Sequence, residues 1–251
     1  MGITGAAPYA HVANVYDTIR PYDVESAAAV SFLSRHAGDG SVLELGVGTG
    51  RLALPLRGLG FDVVGLDASS EMLAVLREKP DAAGMPLLLA DMSRPGLVAQ
   101  FSLVFCADNA LFALLSADEQ TDCLRCAATL LSPGGLLVLE AAVPASTRRA
   151  DAISLSASPG DLDEAMLQIA AHDVASQTVE FRHVHFGPYG VRVFPAVLRY
   201  ASPAELDSMA AVAGLELRHR YGGWTESGFT GASARHISVY GLRHEPSRTA
   251  G

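Results

Sequence analysis

Three acidic residues and three closely spaced glycines are the residues best placed to do chemistry in this chain. Residues 42–50 read Val-Leu-Glu-Leu-Gly-Val-Gly-Thr-Gly, so an apolar run containing Glu44 is followed by alternating glycines. Glycine lets the backbone turn with positive φ and approach a ligand closely, and the N–H groups that start a following helix point at the same place. The stretch therefore predicts a buried strand, a tight turn and a ligand site. Its glycines are Gly46, Gly48 and Gly50.

The residues around the glycines restrict the choice of ligand. A phosphate-binding P-loop needs Lys followed by Ser or Thr after its last glycine, whereas Arg51 and Leu52 follow here. A dinucleotide-binding fingerprint needs glycine at position 51. A carboxylate at Glu44 repels a pyrophosphate and attracts a cation. An NAD-linked oxidoreductase is therefore disfavoured, and a cationic ligand without phosphate is favoured.

Two further acids end the next predicted strands. Residues 61–67 form a mainly apolar segment that ends in Asp67, and residues 86–91 form another that ends in Asp91. Asp67 lies seventeen residues after Gly50, a spacing at which an acid at the tip of a second strand binds two ribose hydroxyls; a helix N-cap or a loop acid is the alternative. Because parallel strands end at one edge of a sheet, these acids and Glu44 predict an acidic ligand-binding edge.

The order of the predicted elements indicates how these residues are positioned. Strands and helices alternate from residue 42 to residue 140, which is typical of a mostly parallel sheet with right-handed crossovers. A helix at 24–36 precedes them. After residue 140 the polar segment 144–162 predicts a mobile loop or lid. Strands at 178–186 and 191–200 predict an inserted hairpin, and strands at 215–221 and 235–242 complete the fold.

Helix starts are also visible. Ser69 or Ser70 precedes one helical segment, Ser116 and Glu119 form a capping box before another, and Ser202 is followed by proline at the first position of a third. These signals predict helices between the strands of the sheet.

The pattern E-x-G-x-G-x-G, followed by acids at the strand ends, resembles the first motifs of class I S-adenosylmethionine (SAM)-dependent methyltransferases of the small-molecule, natural-product type. The resemblance covers about residues 9–243 and is most specific in the cofactor half. It implies a Rossmann-like α/β fold: a mostly parallel sheet of seven strands with the last strand antiparallel, an N-terminal helical cover and an inserted β-hairpin or lid. We interpret residues 1–251 as a single domain. Its expected parts are a SAM-binding core at about 37–142, the cover at about 9–36 and the lid at about 144–200.

The resemblance implies roles for residues of the cofactor half. Asp67 is expected to hold the ribose, and Asp91 to accept a hydrogen bond from the adenine amino group beside Met92. Tyr16 and Tyr22 are expected to cover SAM, with packing on the following helix as the alternative. The full expected cofactor-binding set is Tyr16, Tyr22, Glu44, Gly46, Gly48, Gly50, Asp67, Ala68, Met72, Asp91, Met92 and Cys106.

The reaction implied by the resemblance is methyl transfer from SAM to a nitrogen or oxygen atom of a small molecule, with S-adenosylhomocysteine (SAH) as the product. The protein mainly supplies alignment, and some acceptors need a base. His183 and His185 lie on one face of a predicted hairpin strand and are the candidate bases, although a surface or structural role is the alternative. The candidate substrate residues are Asn109, Tyr189 and Trp224.

Two alternative functions keep SAM bound but change its use. One is a relative that uses the cofactor as a bound cation or scaffold for cyclisation or decarboxylation, and turnover of SAM to SAH separates it from a methyltransferase. The other is a non-catalytic SAM sensor, which a blocked acceptor cavity would favour.

Composition limits the remaining classes. Hydrophobic residues make up 49% of the chain and the net charge is −9, which supports a sizeable core and argues against nucleic-acid binding. No segment is long and apolar enough for a membrane span and no signal peptide is visible, so a cytoplasmic enzyme with a small-molecule partner is expected. Cys123 and Cys126 form a C-x-x-C pair without a second pair, so no metal site is expected. A homodimer is one option for the oligomeric state.

Overall fold

The computed structural model describes residues 12–144, 151–157, 165–187 and 190–243, which form two β-sheets and six α-helices in these ranges. The elements up to the end of the fifth strand are α1 (Ala13–Ile19), α2 (Val24–His36), β1 (Val42–Leu45), α3 (Ala53–Gly58), β2 (Val63–Asp67), α4 (Ser70–Glu78), β3 (Leu87–Leu89), β4 (Phe101–Cys106), α5 (Ala117–Leu130) and β5 (Leu131–Ala142). The later elements are β6 (Asp151–Ala157), β7 (Ala165–Asp173), β8 (Thr178–Gly187), β9 (Gly190–Arg199), α6 (Pro203–Val212), β10 (Leu215–Tyr221) and β11 (Arg235–Leu242).

The main sheet has seven strands in the order β10-β11-β5-β4-β1-β2-β3. β11 is antiparallel to both of its neighbours, and the pairs β5-β4, β4-β1, β1-β2 and β2-β3 are parallel. The predicted fold class is therefore confirmed. The chain order reverses between β1 and β4, and open α/β sheets bind ligands beyond the carboxyl ends of their strands at such a point.

The core fills both faces of the main sheet because successive side chains of a strand point to opposite faces. On β1, Leu43 belongs to a cluster that also contains Leu124 and Tyr240, whereas Val42 belongs to a second cluster with Phe32 and Phe105. Helices pack on each face for the same reason. Glu44 alternates with Leu43 along β1 and so lies on the second face, where a charged side chain is an exception.

Side-chain caps fix where the helices begin. The Ser69 hydroxyl accepts a hydrogen bond from the Met72 N–H at 3.1 Å, and Ser116 and Glu119 form the predicted reciprocal box. Ser202 caps α6, with Pro203 in its first turn. Each cap satisfies N–H groups that the first helical turn leaves free, which confirms the helix starts predicted from sequence.

The second sheet is antiparallel and has four strands in the order β6-β7-β8-β9. The predicted hairpin is confirmed as β8 and β9. The prediction of a loop over 144–162 was wrong for Asp151–Ala157, which forms the edge strand β6. This segment reads Asp-Ala-Ile-Ser-Leu-Ser-Ala and alternates with the period of a strand, but its serine content favoured a loop.

A buried polar joint attaches the second sheet to the main one. Arg199, the last residue of β9, donates from Nη1 to Gln120 Oε1 at 2.8 Å and from Nη2 to Glu205 Oε1 at 2.6 Å. Gln120 in turn donates to the Leu114 carbonyl at 3.0 Å. Buried polar groups that are fully paired specify one arrangement, so the joint fixes the end of β9 relative to α5 and α6.

Within the described ranges, no helix has both the length and the apolar character needed to cross a membrane. The same part of the chain contains no group of three or more His, Cys, Asp or Glu side chains arranged to hold a metal ion.

Candidate functional site

The glycine turn after β1 has the geometry of a ligand cradle. Gly46, Gly48 and Gly50 all have positive φ, at 76°, 55° and 87°. A Cβ on Gly46 would lie 2.8 Å from the Ala110 Cβ, so no larger residue fits there. A Cβ on Gly48 would meet nothing within 4 Å. The turn therefore presents open space at Gly48, where a ligand can approach the backbone closely.

Asp67, at the end of β2, closes this turn. Its Oδ2 accepts a hydrogen bond from the Gly48 N–H at 2.7 Å, and its Oδ1 accepts one from the Ser69 N–H at 2.8 Å. Burial raises the pKa of the Asp67 carboxyl, and the backbone N–H groups of Ser69 and Gly48 oppose that rise. Each carboxylate oxygen still has a second lone pair for a ligand donor.

Glu44 is a buried carboxylate with an unsatisfied oxygen. The residue is 5% exposed, and its Oε2 has no hydrogen-bond partner among the described residues. Burial raises the pKa of Glu44 well above its ordinary value, Arg51 lowers it, and Asp67 raises it further. A buried polar atom without a partner costs free energy, and a cationic ligand near Glu44 offsets that cost.

Helix α1 is held over the glycine turn by polar contacts. The Thr49 hydroxyl donates to Asp17 Oδ1 at 2.6 Å, and Lys79 Nζ lies 2.5 Å from Asp17 Oδ2 and 2.7 Å from the Thr49 carbonyl. Tyr16 is half-buried on this helix, and Tyr22 is 52% exposed in the segment that follows. Sequence reasoning missed Asp17 and Lys79, although Lys79 is the single lysine of the chain.

The other predicted cofactor residues differ in exposure. Asp91 is exposed, and its Oδ1 accepts hydrogen bonds from the Ser93 N–H at 2.8 Å and hydroxyl at 2.7 Å. Met92 is half-buried beside the glycine turn, with its Cε 3.9 Å from the position that a Gly46 Cβ would take. Ala68 is exposed and Met72 is buried on α4.

Cys106 occupies a different environment from the rest of the predicted set. It is 1% exposed and packs in the apolar core at the end of β4, where burial raises the pKa of its thiol to about 12. The thiol is therefore a core group that remains protonated at neutral pH.

A cavity of about 350 Å³ lies where the segment between α1 and α2 meets the ends of β4, β5 and β11. We call it the acceptor-side cavity. Arg51, the residue after the glycine turn, lines it. Its other charged lining residues are Arg20, Asp23, Glu25, Asp108, Glu140 and Arg235. We call the glycine turn, together with Glu44, Asp67 and Asp91, the cofactor edge.

The loop after β4 is strained and polar. Asp108 and Asn109 both have positive φ, at 52° and 60°, a conformation that is uncommon outside glycine and often marks functional sites. Asn109 Oδ1 accepts a hydrogen bond from the Ala142 N–H at 2.7 Å. The Asp108 carboxylate pairs with Arg20 and with Arg51, the latter at 3.2 Å. These contacts fix the loop between the glycine turn and the cavity.

Glu140 is the most buried acid of the cavity. Its Oε2 accepts a hydrogen bond from the Asp108 N–H at 2.7 Å, and Oε1 lies 3.0 Å from Arg235 Nη1, which also pairs with Glu25. Burial raises the pKa of Glu140, while the Asp108 N–H and a hydrogen bond from the Trp224 side chain lower it. Sequence reasoning missed this residue, although it ends the predicted fifth strand as the other acids end theirs.

The predicted catalytic and substrate residues are only partly brought together. Asn109 and the 4%-exposed Trp224 line the cavity, and Tyr189 lies outside the described residues. His183 is half-buried and stacks on Phe181 with ring centroids 5.6 Å apart.

The two histidines of β8 share the face of the second sheet that packs toward the core. Burial and then the nearby Arg20 lower the pKa of His183, so this ring lies close to a cavity residue. His185 is also half-buried. Both positions agree with the predicted shared face. The role of either histidine as a base stays a prediction.

The doubly wound sheet, the glycine turn at its switch point and the acidic edge define a nucleoside-binding α/β enzyme class. A family model described as a methyltransferase domain matches residues 42–135. The chain is 37% identical to the CcbJ methyltransferase from Streptomyces caelestis, with a TM-score of 0.85 over 96% of this chain and 98% of that one.

Two further proteins are similar over most of the chain. The cypemycin N-terminal methyltransferase from a Streptomyces species is 29% identical over 90% of this chain and 97% of its own length. The SAM-bound structure of CalS10, an amino pentose methyltransferase from Micromonospora echinaspora, is 23% identical, with a TM-score of 0.69 over 93% of this chain and 96% of that one. The chain belongs to the class I SAM-dependent methyltransferases.

SAM is thus the cofactor of this enzyme, and the observed residues fit it. SAM carries an ammonium and a sulfonium but no phosphate. Glu44 offers an unpartnered buried oxygen, and the cradle is open at Gly48. Glu44 can therefore accommodate a cationic group of SAM, and the open turn at Gly48 can accommodate its nucleoside.

Proposed function

We propose that the enzyme methylates an amine nitrogen of a small natural product or of a peptide N-terminus, and that the acceptor-side cavity binds this amine. The main observation is the group of carboxylates that line the cavity beside the glycine turn, namely Asp23, Glu25, Asp108 and Glu140. The similarity to the cypemycin N-terminal methyltransferase, whose name specifies a terminal acceptor, supports an amine.

The cofactor half is assigned by the contacts of its acids. We assign Asp67 to the ribose hydroxyls, because its Oδ2 already accepts from the Gly48 N–H of the open glycine turn and its Oδ1 accepts from the Ser69 N–H at the start of α4. Glu44 is assigned to the cationic methionine end of SAM, because one of its carboxylate oxygens is buried and has no hydrogen-bond partner among the described residues. Asp91 and Met92 remain assigned to adenine, Tyr16 and Tyr22 to the cover, and Ala68 and Met72 to the adenosine side.

Glu140 is assigned to the acceptor. It faces the Arg235 guanidinium together with Glu25, so an ammonium ion entering the cavity competes with Arg235 for both carboxylates. Burial raises the pKa of Glu140, which makes it a better proton acceptor than an exposed glutamate. The residue therefore both holds the amine and accepts its proton before methyl transfer.

When bound, SAM supplies a methyl group on a good leaving group. The residues of the chain supply position. Asn109 and Asp108 fix the loop after β4. Trp224 lines the cavity and makes a T-shaped contact with Phe32, with ring centroids 5.5 Å apart. Holding two reactants in line accounts for a large share of catalysis in such reactions. The proposed mechanism is alignment together with removal of one proton.

The test is an acceptor screen with mass-spectrometric detection of SAH and of the methylated product. The panel contains amino sugars, peptides with a free N-terminus, simple primary and secondary amines, and the matching alcohols. We expect turnover with amines and none with alcohols. Product formed from the alcohols alone would overturn the assignment of an amine.

The variant Glu140→Gln tests whether Glu140 binds the amine and accepts its proton. It keeps an oxygen for the Asp108 N–H but removes both the charge and the proton acceptor. KM for the amine should therefore rise by about tenfold or more, the scale of one charge-assisted hydrogen bond, and kcat should fall by about 10²–10⁴-fold, the scale of a lost general base, with SAM affinity unchanged. Glu216→Gln, a surface glutamate paired with Arg218, is the matched control. An unchanged KM in Glu140→Gln would remove Glu140 from the acceptor site.

A further inference from the structure

Helix α1 has little in its own sequence to keep it in place. It is seven residues long, and among the described residues no side chain caps its N-terminus and only Ala13 is buried within it. Isolated helices of this size are marginal in water, and a segment with few buried apolar contacts opens at a low cost in free energy. The position of α1 therefore depends on the contacts that it makes with the rest of the protein.

Asp17 makes the contacts that attach α1 to the cofactor edge. Its Oδ1 accepts a hydrogen bond from the Thr49 hydroxyl at 2.6 Å, and its Oδ2 lies 2.5 Å from Lys79 Nζ. The same Nζ donates to the Thr49 carbonyl at 2.7 Å. The three residues therefore form a closed set of polar contacts, which we call the α1 clamp.

The sequence places both partners of Asp17 where α1 can reach them. Thr49 lies inside the glycine turn and is only 1% exposed, so its hydroxyl needs a hydrogen-bond partner. Lys79 ends α4 in an extended conformation, with φ −76° and ψ 130°, because Pro80 follows it and disfavours a helical residue there. The α1 clamp therefore joins α1 to two separate elements, the glycine turn and the end of α4.

The end of α1 also contacts the acceptor side. Arg20, the residue that follows α1, pairs with Asp108 in the loop after β4 and lines the acceptor-side cavity. One short helix thus contacts the glycine turn through Asp17 and the loop after β4 through Arg20. A movement of α1 away from the glycine turn would therefore change the cofactor edge and the cavity together.

We propose that Asp17 and Lys79 are positioning residues of the methyl transfer: their contacts hold α1 closed over bound SAM and set how slowly SAM leaves. The inference rests on the proposed placement of Tyr16, the neighbour of Asp17, over SAM. A contact that stabilises the closed arrangement slows every process that requires α1 to open. By linkage, bound SAM stabilises the α1 clamp to the same extent that the clamp stabilises bound SAM.

The test measures how fast bound radiolabelled SAM leaves the enzyme when unlabelled SAM is added in excess. Lys79→Met keeps the length of the side chain but removes its charge, so SAM should leave about fivefold faster, the scale of one partly exposed ion pair. Arg125→Met is the matched control, because it removes an ion pair of the same 2.5 Å length, to Asp122 on α5. It should release SAM at the wild-type rate. A wild-type rate in Lys79→Met, or equal acceleration in both variants, overturns the proposal.

A double-mutant cycle tests whether the two residues act through one contact. Asp17→Asn keeps an oxygen for the Thr49 hydroxyl but removes the charge, and it should accelerate SAM release as Lys79→Met does. The double variant should release SAM no faster than either single variant, because all three lack the same ion pair. Effects that multiply in the double variant would mean that the residues act separately, which contradicts the α1 clamp.

Tyr16→Ala separates a failure of the α1 clamp from a failure of the proposed cover. If α1 covers SAM, Tyr16→Ala weakens SAM binding at equilibrium whether or not the clamp contributes. Weak binding in Tyr16→Ala together with normal SAM release in Lys79→Met would keep the cover and reject the clamp. Wild-type behaviour of both variants would reject the placement of SAM beneath α1, and the clamp with it.

Chemical modification gives an independent test, because Lys79 is the single lysine of the chain. N-hydroxysuccinimidyl acetate therefore acetylates one lysine side chain, and mass spectrometry of the peptide that contains it gives the rate. Saturating SAM should slow this acetylation by about fivefold if the clamp and SAM stabilise each other. A lysine-containing reference peptide in the same reaction corrects for loss of reagent. Equal rates with and without SAM would show that the clamp is not linked to the cofactor, and the proposal would be wrong.

Discussion

The cofactor edge and the acceptor-side cavity are neighbours, yet they are assembled in different ways. The cofactor edge comes from about fifty consecutive residues, from Glu44 to Met92, which contain β2, β3 and the end of β1. The cavity combines Arg20 before α2, Asp108 after β4 and Arg235 at the start of β11. The cofactor edge is therefore a local unit of the sequence, whereas the cavity depends on how distant parts of the chain pack.

The two regions also differ in how their charged side chains are paired. At the cofactor edge, Glu44 keeps an unpaired buried oxygen ready for a ligand cation. In the cavity, Asp108 is paired with Arg20 and Arg51, and Arg235 with Glu25 and Glu140. A single invariant cofactor suits a preformed site. If the cavity binds the acceptor as proposed, the acceptor must replace existing ion pairs, so side-chain changes in the cavity should alter the choice of acceptor while SAM binding stays the same.

The largest effect on SAM binding is expected from the variant Asp67→Ala. The variant loses the proposed ribose acceptor and the contacts to Gly48 and Ser69. Charged hydrogen bonds contribute about 1.5–3 kcal/mol each, so SAM affinity measured by isothermal titration should fall by about 100-fold or more. Unchanged SAM affinity would show that the ribose assignment is wrong.

The exposed acid Asp62, which precedes β2, provides the control for that variant. Asp62→Ala should bind SAM as the wild type does. Because free adenosine contains the ribose that Asp67 is proposed to hold, the affinity for adenosine should fall together with the affinity for SAM. A loss confined to SAM would place Asp67 at the methionine end of the cofactor.

The second variant, Glu44→Gln, tests whether the cofactor edge is built for a cation. Removing the charge should weaken SAM binding by about tenfold, the scale of one charge-assisted interaction. The same change should raise the melting temperature of the free enzyme by about 2–4 °C, equivalent to about 1 kcal/mol, because burial disfavours the ionised form of Glu44. A lower melting temperature would contradict this view of the site.

The pH dependence of Glu44 follows from the direction of its pKa shift. Burial raises the pKa of Glu44 in the folded state above its value in the unfolded chain. The contribution of Glu44 to the stability of the wild type is therefore fully present below the pKa of the unfolded chain, and it is lost as pH rises through the pKa of the folded state. The stability gain of Glu44→Gln should therefore disappear toward pH 4. SAM affinity of the wild type should show the opposite trend and increase with pH through the same range, whereas that of Glu44→Gln should not.

Sequence predicted the cofactor edge well because its signals are local. The glycine spacing, the strand-terminal acids and the Ser116 capping box each depend on residues within a few positions of one another, and their structural counterparts are present. The positive φ of Gly46, Gly48 and Gly50 is one such counterpart. The roles of these residues toward SAM stay predictions.

The cavity was not predictable in the same way. Arg20 and Asp108 are 88 residues apart, and Glu25 and Arg235 are 210 apart, so no local pattern connects them. The left-handed conformations of Asp108 and Asn109 have no sequence requirement such as glycine would give. The edge strand Asp151–Ala157 was missed because its serine content outweighed its alternation. Long-range packing decides each of these features.

The smallest effect is expected from His183→Gln, which asks whether the second sheet contributes chemistry or only a cover. Burial and the nearby Arg20 lower the pKa of His183, which favours the neutral form of its imidazole ring. If Glu140 accepts the proton, kcat should change by less than about threefold, as should that of the control His172→Gln, an exposed residue of β7. Loss of a true general base costs about 10²–10⁴-fold and removes the acidic limb of the pH profile. A loss on that scale in His183→Gln alone would move the base from β5 to β8 and make the second sheet part of the reaction.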